Sequence, residues 1–247
     1  KTIIEMTAID FGRNIRDVMR VAQQVPEVNV IAITGYNKPY FCDRAIISQD
    51  EGEMVADCVL DIQEGIDGTQ TKAGIMKGGS GYNSFQEPDQ KLMRIAAKVQ
   101  VQTDVPIITH TEAGTMGFEQ IVLLMAHQVS PDRVCLSHMD RNPDFWEHKR
   151  IAQMGAFLGY DCPGKAKYGP DQLRVDLLKR MIEAGLGRQI LLGNDLGRPS
   201  YWRSYGGGPG LDFVLTKFVP RLRDEGVAEE DIQDLLVNNP RRFLTGA

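Results

Sequence analysis

The stretch Pro106-Ile107-Ile108-Thr109-His110-Thr111 and its counterpart Arg133-Val134-Cys135-Leu136-Ser137-His138 decide how this sequence is read. Each is a short, apolar, largely β-branched run that ends in a histidine. A near-continuous apolar run bounded by turn residues is what a strand buried on both faces requires, as in a parallel sheet covered by helices. The same form recurs outward in both directions, at residues 2–7, 28–35 and 73–77 and again at 156–161 and 189–195. Between the runs the apolar spacing becomes helical, at 13–25, 51–66, 86–102, 115–127, 143–154, 171–184 and 211–224, with a last helix at 229–237. Asp171 reads as an N-cap and Gly185 as a stop.

Strands alternating with helices indicate βαβ units, and seven strands can be assigned. A doubly wound open sheet is one reading, and a (β/α)8 TIM barrel, which needs eight strands, is the other. No G-x-G-x-x-G follows an early strand, as a dinucleotide-binding sheet would want. Polar residues instead recur at the C-terminal ends of different strands (Glu5, Lys77, His110, His138, Asp161, Asp195), where barrel enzymes carry their chemistry. The expectation is therefore one barrel domain over residues 1–247, comprising strands 2 to 8 and C-terminal helices, with a first βα unit ahead of Lys1.

Composition narrows the function classes. The 28 basic and 33 acidic residues leave a net charge of −5, which argues against a nucleic-acid or anionic-membrane binder. Hydrophobic residues at 42% and charged residues at 25% are ordinary for a globular protein, and no apolar run approaches the roughly 20 residues that span a bilayer. Cys42, Cys58, Cys135 and Cys162 are scattered and form no C-x-x-C, so they read as reduced thiols of a cytoplasmic protein, with Cys135 a packing residue.

At the mouth of a barrel, His110, His138 and Asp195 converge. Two imidazoles and a carboxylate are a divalent-metal ligand set, most simply zinc, with positions left for water. Such water is a nucleophile at neutral pH, and Asp195 is placed both to ligate and to take its proton. Lys77 does not fit as an ammonium, which has no lone pair; burial favours its neutral amine, which can add carbon dioxide to become an anionic carbamate, a step composition alone does not suggest. Each residue also has a plain reading: a core histidine, a solvated strand-end lysine, a strand-end cap for Glu5 or for Asp161, which alternatively supports a ligand. His127 and His148 fall on expected helices as surface or structural residues.

Lys77, Thr109-His110-Thr111, Ser137-His138-Met139-Asp140 and Asn194-Asp195 together resemble the phosphotriesterase family of the amidohydrolase superfamily. The resemblance runs from Lys1 to about Leu244 and includes Asp10-Phe11-Gly12-Arg13-Asn14 and Asn239-Pro240-Arg241-Arg242-Phe243-Leu244. It implies two divalent metal ions bridged by carboxylated Lys77, with His110 and His138 completing one site and Asp195 ligating the other and shuttling the proton. It also implies a homodimer. The family's His-x-His on the first strand is not in this sequence, whose histidines are His110, His127, His138 and His148. Without that pair the second site holds only Lys77 and Asp195.

Two loops bear on the substrate. Cys162-Pro163-Gly164-Lys165-Ala166-Lys167-Tyr168-Gly169 and Gly197-Arg198-Pro199-Ser200-Tyr201-Trp202-Arg203-Ser204-Tyr205-Gly206-Gly207-Gly208 supply cations and aromatics. Lysine and arginine suit phosphate or carboxylate, whereas a neutral phosphotriester prefers an apolar pocket. Lys165, Lys167, Tyr168, Arg198 and Arg203 are thus candidate substrate-binding residues, with Tyr36 and Asn37 adding hydrogen bonds at the rim and the glycine run serving as a flexible lid. This pattern resembles the sugar-lactonase branch. The expected activity is a metal-dependent hydrolase that opens a sugar lactone, phosphorylated or not, by attack of metal-held hydroxide. The alternatives are an esterase acting on another ester and a non-catalytic sugar-phosphate-binding barrel.

Overall fold

The computed structural model describes residues 1–246. Eight short strands, all paired in parallel, carry the fold: β1 (Thr2–Ile4), β2 (Asn29–Ile31), β3 (Ile33–Gly35), β4 (Ile75–Gly79), β5 (Ile107–His110), β6 (Val134–Ser137), β7 (Phe157–Tyr160) and β8 (Ile190–Leu192). β1 pairs with β2, and β3 through β8 follow one another in chain order. This is the (β/α)8-barrel arrangement, and among the described residues the ladder does not close on itself.

The run expected at 28–35 is divided at Ala32. Its first half pairs with β1 and its second with β4, while the Ala32 carbonyl accepts from Gly74. Pairing to opposite neighbours at offset positions is the stagger a barrel demands of its strands. Seven sequence runs thus become seven barrel positions.

Period-two alternation sorts the strand residues. Ile33, Ile75, Ile108, Cys135 and Phe157 point inward and, with Ala8 and Phe243, form a closed floor. Their neighbours Met76, Ile107, Leu136, Leu158 and Ile190 point outward into the larger core beneath the helices. That outer layer is made by α1 (Ile15–Ala22), α2 (Arg44–Ser48), α3 (Glu51–Gln63), α4 (Glu87–Thr103), α5 (Gly117–Ala126), α6 (Phe145–Gln153) and α7 (Asp171–Glu183). Burying the outward residues fully contributes roughly 1.5–3 kcal/mol each. α1 is capped by Asn14, whose side chain accepts from Asp17 N, and α3 by Asp50, which accepts from Gly52 N and Glu53 N.

Two helical expectations change. Asp171 is the first residue of α7 rather than its cap; Pro170 precedes it, and the Asp171 carboxylate instead accepts from Gly164 N and Arg174. Gly185 ends α7 at φ +74°, as a left-handed stop should. The stretch after residue 211 begins with a π-helical turn, Val214–Phe218, before α8 (Val219–Asp224), and another, Asp234–Asn238, joins α9 (Glu229–Gln233) to α10 (Asn239–Thr245). Pro220 and Pro240 sit just beyond these turns, where the missing N–H prevents a regular ladder. Asn239, fully buried, donates to the carbonyls of Gly187 and Ile190 and so fixes α10 beneath β8. No helix among the described residues is long and apolar enough to cross a membrane.

Candidate active site

The floor residues predict what lies above them. Two positions further along each strand the side chain returns to the same face. Ile75 is followed by Lys77, Ile108 by His110, and Phe157 by Gly159 and then Asp161. Register completes the layer: Lys77 lies beside Gly35 and Ile108, Gly79 beside His110, and His110 beside Ser137.

Lys77 is not at a strand end, as its sequence position suggests, but third in a five-residue strand whose last residues are glycines. Those glycines are required. A Cβ on Gly79 would lie 2.2 Å from the Asn37 carbonyl and 2.7 Å from His110 Cβ, and one on Gly35 would lie 2.3 Å from the Lys77 carbonyl. Only backbone fits at these crossings, and Gly35 also takes φ +102°.

The two histidines face each other, ring centroids 4.7 Å apart and edge to face. Each has one nitrogen tied to a carboxylate. His138 Nδ1 lies 2.7 Å from Asp161 Oδ1, and the other oxygen of Asp161 accepts the His138 backbone N–H at 3.1 Å. This double hold matters because His138 adopts φ +66°, a left-handed conformation that costs a non-glycine residue about a kilocalorie or more. His110 Nε2 lies 3.1 Å from Glu112 Oε2. Among the described residues, no hydrogen bond engages His110 Nδ1 or His138 Nε2. A metal-ligating histidine typically has this form: one nitrogen on a carboxylate, the other presented to the ion.

Electrostatics favour the same use. Burial pushes the His110 imidazolium down to about 3, and the nearby charges of His138, Lys77 and Lys38 act in the same direction against the hydrogen bond from Glu112, so the ring is neutral at physiological pH. Lys77 is 5% exposed, and burial lowers its amine to about 8 despite the opposing charges of Asp161 and Asp195. Asp161 stays ionised, because the charge and hydrogen bonds of His138 and the charge of Lys165 outweigh its burial. The Cys162 sulfur lies with His138 and Asp161 in a group compact enough to grip an ion, yet burial drives its thiol far above the usual range and it donates to Asp161 instead. It is a neighbour of the site rather than a thiolate ligand.

Asp195 follows β8 by three residues. Its N–H donates to the Asp161 carbonyl at 2.7 Å, which continues the β7–β8 pairing past the strands, and its Oδ2 accepts from Lys165 Nζ at 2.5 Å. Lys165 is nearly fully buried and sits over the Tyr201 ring, 4.6 Å from its centroid. The donor set suits one divalent ion at His110 and His138. For a second ion the described residues offer Lys77 and Asp195.

The chain belongs to the phosphotriesterase family. The family pattern matches residues 1–244. A phospho-furanose lactonase of Mycoplasmopsis synoviae is 35% identical over 266 residues, an alignment that spans 98% of this chain and 75% of that protein. The crystal structure of the phosphotriesterase homology protein from Escherichia coli, described as complexed with phosphate in its active site, superposes with a TM-score of 0.95 at 34% identity over 99% of this chain and 84% of that one. A lactonase from Listeria monocytogenes superposes with a TM-score of 0.93 at 32% identity, covering 99% and 81% of the two chains. This member of the phosphotriesterase family is a hydrolase, and metal dependence is typical of the family.

In the loops, Lys167 stacks on Tyr168 and Tyr201 (4.5 and 5.1 Å to the centroids), and Arg141 also stacks on Tyr168 at 4.1 Å. Arg198 is exposed. Arg203 is exposed as well and pairs with Asp212 at 3.0 Å, which engages it on its own loop. Tyr36 is a correction: at 3% exposure it belongs to the outer core with Met54, Cys58 and Met76, because alternation after the inward Gly35 turns it toward the helices rather than the rim. Asn37 donates its backbone N–H to Asp10. The glycine run is no open lid. Gly207 N bonds to Trp202, Gly208 N to Ser200 and Gly210 N to Tyr201, and a Cβ on Gly207 would strike the Ser200 carbonyl. His148 is wholly buried, with both ring nitrogens engaged by Tyr160 Oη (2.7 Å) and the Asn142 carbonyl (2.9 Å), so its structural reading holds. Sequence reasoning passed over Lys38, Glu112, Arg141 and Tyr201. Of these only Glu112, two residues from a candidate ligand, carried a local signal.

Proposed function

We propose that this hydrolase opens a phosphorylated sugar lactone, using two divalent ions, most simply zinc, held by His110, His138, Asp195 and carboxylated Lys77. The observation that carries the substrate class is the cluster in which Lys165 and Lys167 converge on Tyr201 and Tyr168 directly beside Asp195. Hydrogen bonds from Lys167 and Tyr168 and the charge of Lys165 pull the Tyr201 phenol below its ordinary value in spite of burial, which is consistent with two ammonium groups meeting at one ring. A dianionic phosphate is the natural complement of such a site. The lactonase relatives and the phosphate in the Escherichia coli structure support the same reading.

Lys77 contributes through its depressed pKa: a neutral amine adds its lone pair to carbon dioxide and loses a proton, giving an anionic carbamate where an ammonium would repel metal. Bound divalent ions supply Lewis acidity and lower the pKa of water. Asp195 accepts the proton released as water adds to the lactone carbonyl, and returns it to the ring oxygen when the carbon–oxygen bond breaks. Lys167, Tyr168, Tyr201 and Arg198 hold the distal phosphate, and Lys165 bridges that group to Asp195. Binding energy from the remote group thereby orients the reacting carbonyl.

A kinetic panel decides this. Zinc-loaded protein is assayed with phosphorylated sugar lactones, their unphosphorylated counterparts and paraoxon-type triesters. The highest kcat/KM is expected for the phosphorylated lactones. A preference for triesters by orders of magnitude would overturn the assignment in favour of an esterase, and absence of turnover with every ester in protein that binds no metal would leave a binding barrel.

A further inference from the structure

We infer that Glu112 is the positioning residue that sets the tautomer of His110, and that Lys38 and Arg141 hold it to that task. The proposal rests on the reading of His110 as a metal ligand. Glu112 begins the turn Glu112–Gly114 just past β5. Its Oε2 accepts from His110 Nε2 at 3.1 Å and from Lys38 Nζ at 2.5 Å, while its Oε1 accepts from Arg141 Nη2 at 2.9 Å. These partners come from three loops: Lys38 follows β3, Glu112 follows β5, and Arg141 follows β6. The carboxylate is 26% exposed in its side chain, so it is fixed by these cations rather than by packing.

The position of Lys38 is the telling feature. Its ammonium lies 3.4 Å from His110 Nε2, close enough to donate to that nitrogen. If it did, the ring proton would move to Nδ1 and the only nitrogen left for a metal would be closed. Glu112 prevents this in two ways. It accepts the Nε2 proton directly, and it draws the Lys38 ammonium onto the same oxygen. A carboxylate facing Nε2 leaves the lone pair on Nδ1, the nitrogen with no hydrogen-bond partner among the described residues. Arg141 extends the arrangement outward, since its guanidinium also stacks on Tyr168 of the substrate loop.

Removing Glu112 therefore does more than delete a hydrogen bond: it frees a competing donor. Nitrogen-15 NMR of the imidazoles in metal-free protein reads the tautomer directly. His110 in the wild type is expected as the Nε2–H form, and in Glu112→Ala as substantially the Nδ1–H form. Zinc titration against a chromophoric chelator should show Glu112→Ala weakened roughly 10–100-fold. Glu112→Gln, which keeps an acceptor oxygen, should lose less. The double variant Lys38→Met/Glu112→Ala should recover part of the loss, since the competing donor is gone; a purely structural role for Glu112 predicts no such recovery. An Nδ1–H ring in the wild type, an unchanged tautomer in Glu112→Ala, or a double variant that binds zinc no tighter than the single one overturns the proposal. Wild-type protein that shows the Nε2–H ring yet binds no zinc would instead sink the metal reading and leave the tautomer assignment standing.

Discussion

The strand-borne residues at the mouth and the loop residues above them are held by different means. Lys77, His110 and Asp161 owe their places to strand register: each stands two or four positions beyond a floor residue, with glycines at 35 and 79 letting the strands close in. Lys167, Tyr168 and Tyr201 are placed by ring faces and ammonium groups on turns. The inner set is rigid because moving one side chain means moving a strand. The outer set is adjustable because each contact there is weak, about 0.5–2 kcal/mol for a cation over a ring. On the proposed function, chemistry would be lodged in the first and choice of substrate in the second.

The largest expected effect comes from breaking the inner set. In Lys77→Ala, metal content by elemental analysis and kcat should fall together, with kcat/KM down more than about 100-fold, since loss of a ligand exceeds the 10–100-fold typical of its supporting partners. Bicarbonate with a short carboxylic acid should restore part of both. Full metal and full rate in Lys77→Ala would remove the carbamate from the account.

A smaller effect, and one that sharpens the contrast, is expected in Lys167→Ala. Losing one charge-assisted hydrogen bond, about 1.5–3 kcal/mol, should raise KM for phosphorylated lactones roughly 10–100-fold while kcat and the unphosphorylated substrates are little changed. A fall in kcat comparable to that of Lys77→Ala would abolish the division between the two sets.

The smallest effect on activity should come from His148, whose role is in stability. Burial lowers its pKa to about 4 from an unfolded value near 6.5. The unfolded chain therefore binds the proton first as pH drops, so stability falls with decreasing pH between about 6.5 and 4, by about 3 kcal/mol in total. In metal-free protein His110, with its own pKa near 3, adds to the same slope. Urea unfolding at several pH values should show a shallower slope for His148→Gln than for the wild type; equal slopes would contradict the assignment.

How much was legible in the sequence follows the same division. Apolar runs with period two fix which residues share a face, so His110 and Lys77 could be grouped from spacing, whereas His138 stands three positions beyond the inward Cys135 and comes to face His110 with a left-handed backbone that spacing does not foretell. Alternation also held the correction for Tyr36, since a residue directly after the inward Gly35 must face the helices. Glu112 was harder, because its meaning lies in Lys38 and Arg141, which are 74 and 29 residues away along the chain. Tyr201 lies in the cation- and aromatic-rich loop at 197–208, but nothing local says that the chain folds back to lay its ring under Lys165 and Lys167. Asp171 illustrates a further limit: a capping residue and a first-turn residue read alike until the preceding proline's backbone is known.

The crossing at Gly79 has a bearing on how this protein can change over generations. With no space for even a methyl group between Asn37 and His110, the cradle for the reacting atoms cannot be widened by single replacements at that position. On the proposed function, new substrates would be admitted by remodelling the turns at residues 162–169 and 197–208, so descendants with altered tastes should differ there first and keep the strands beneath them intact.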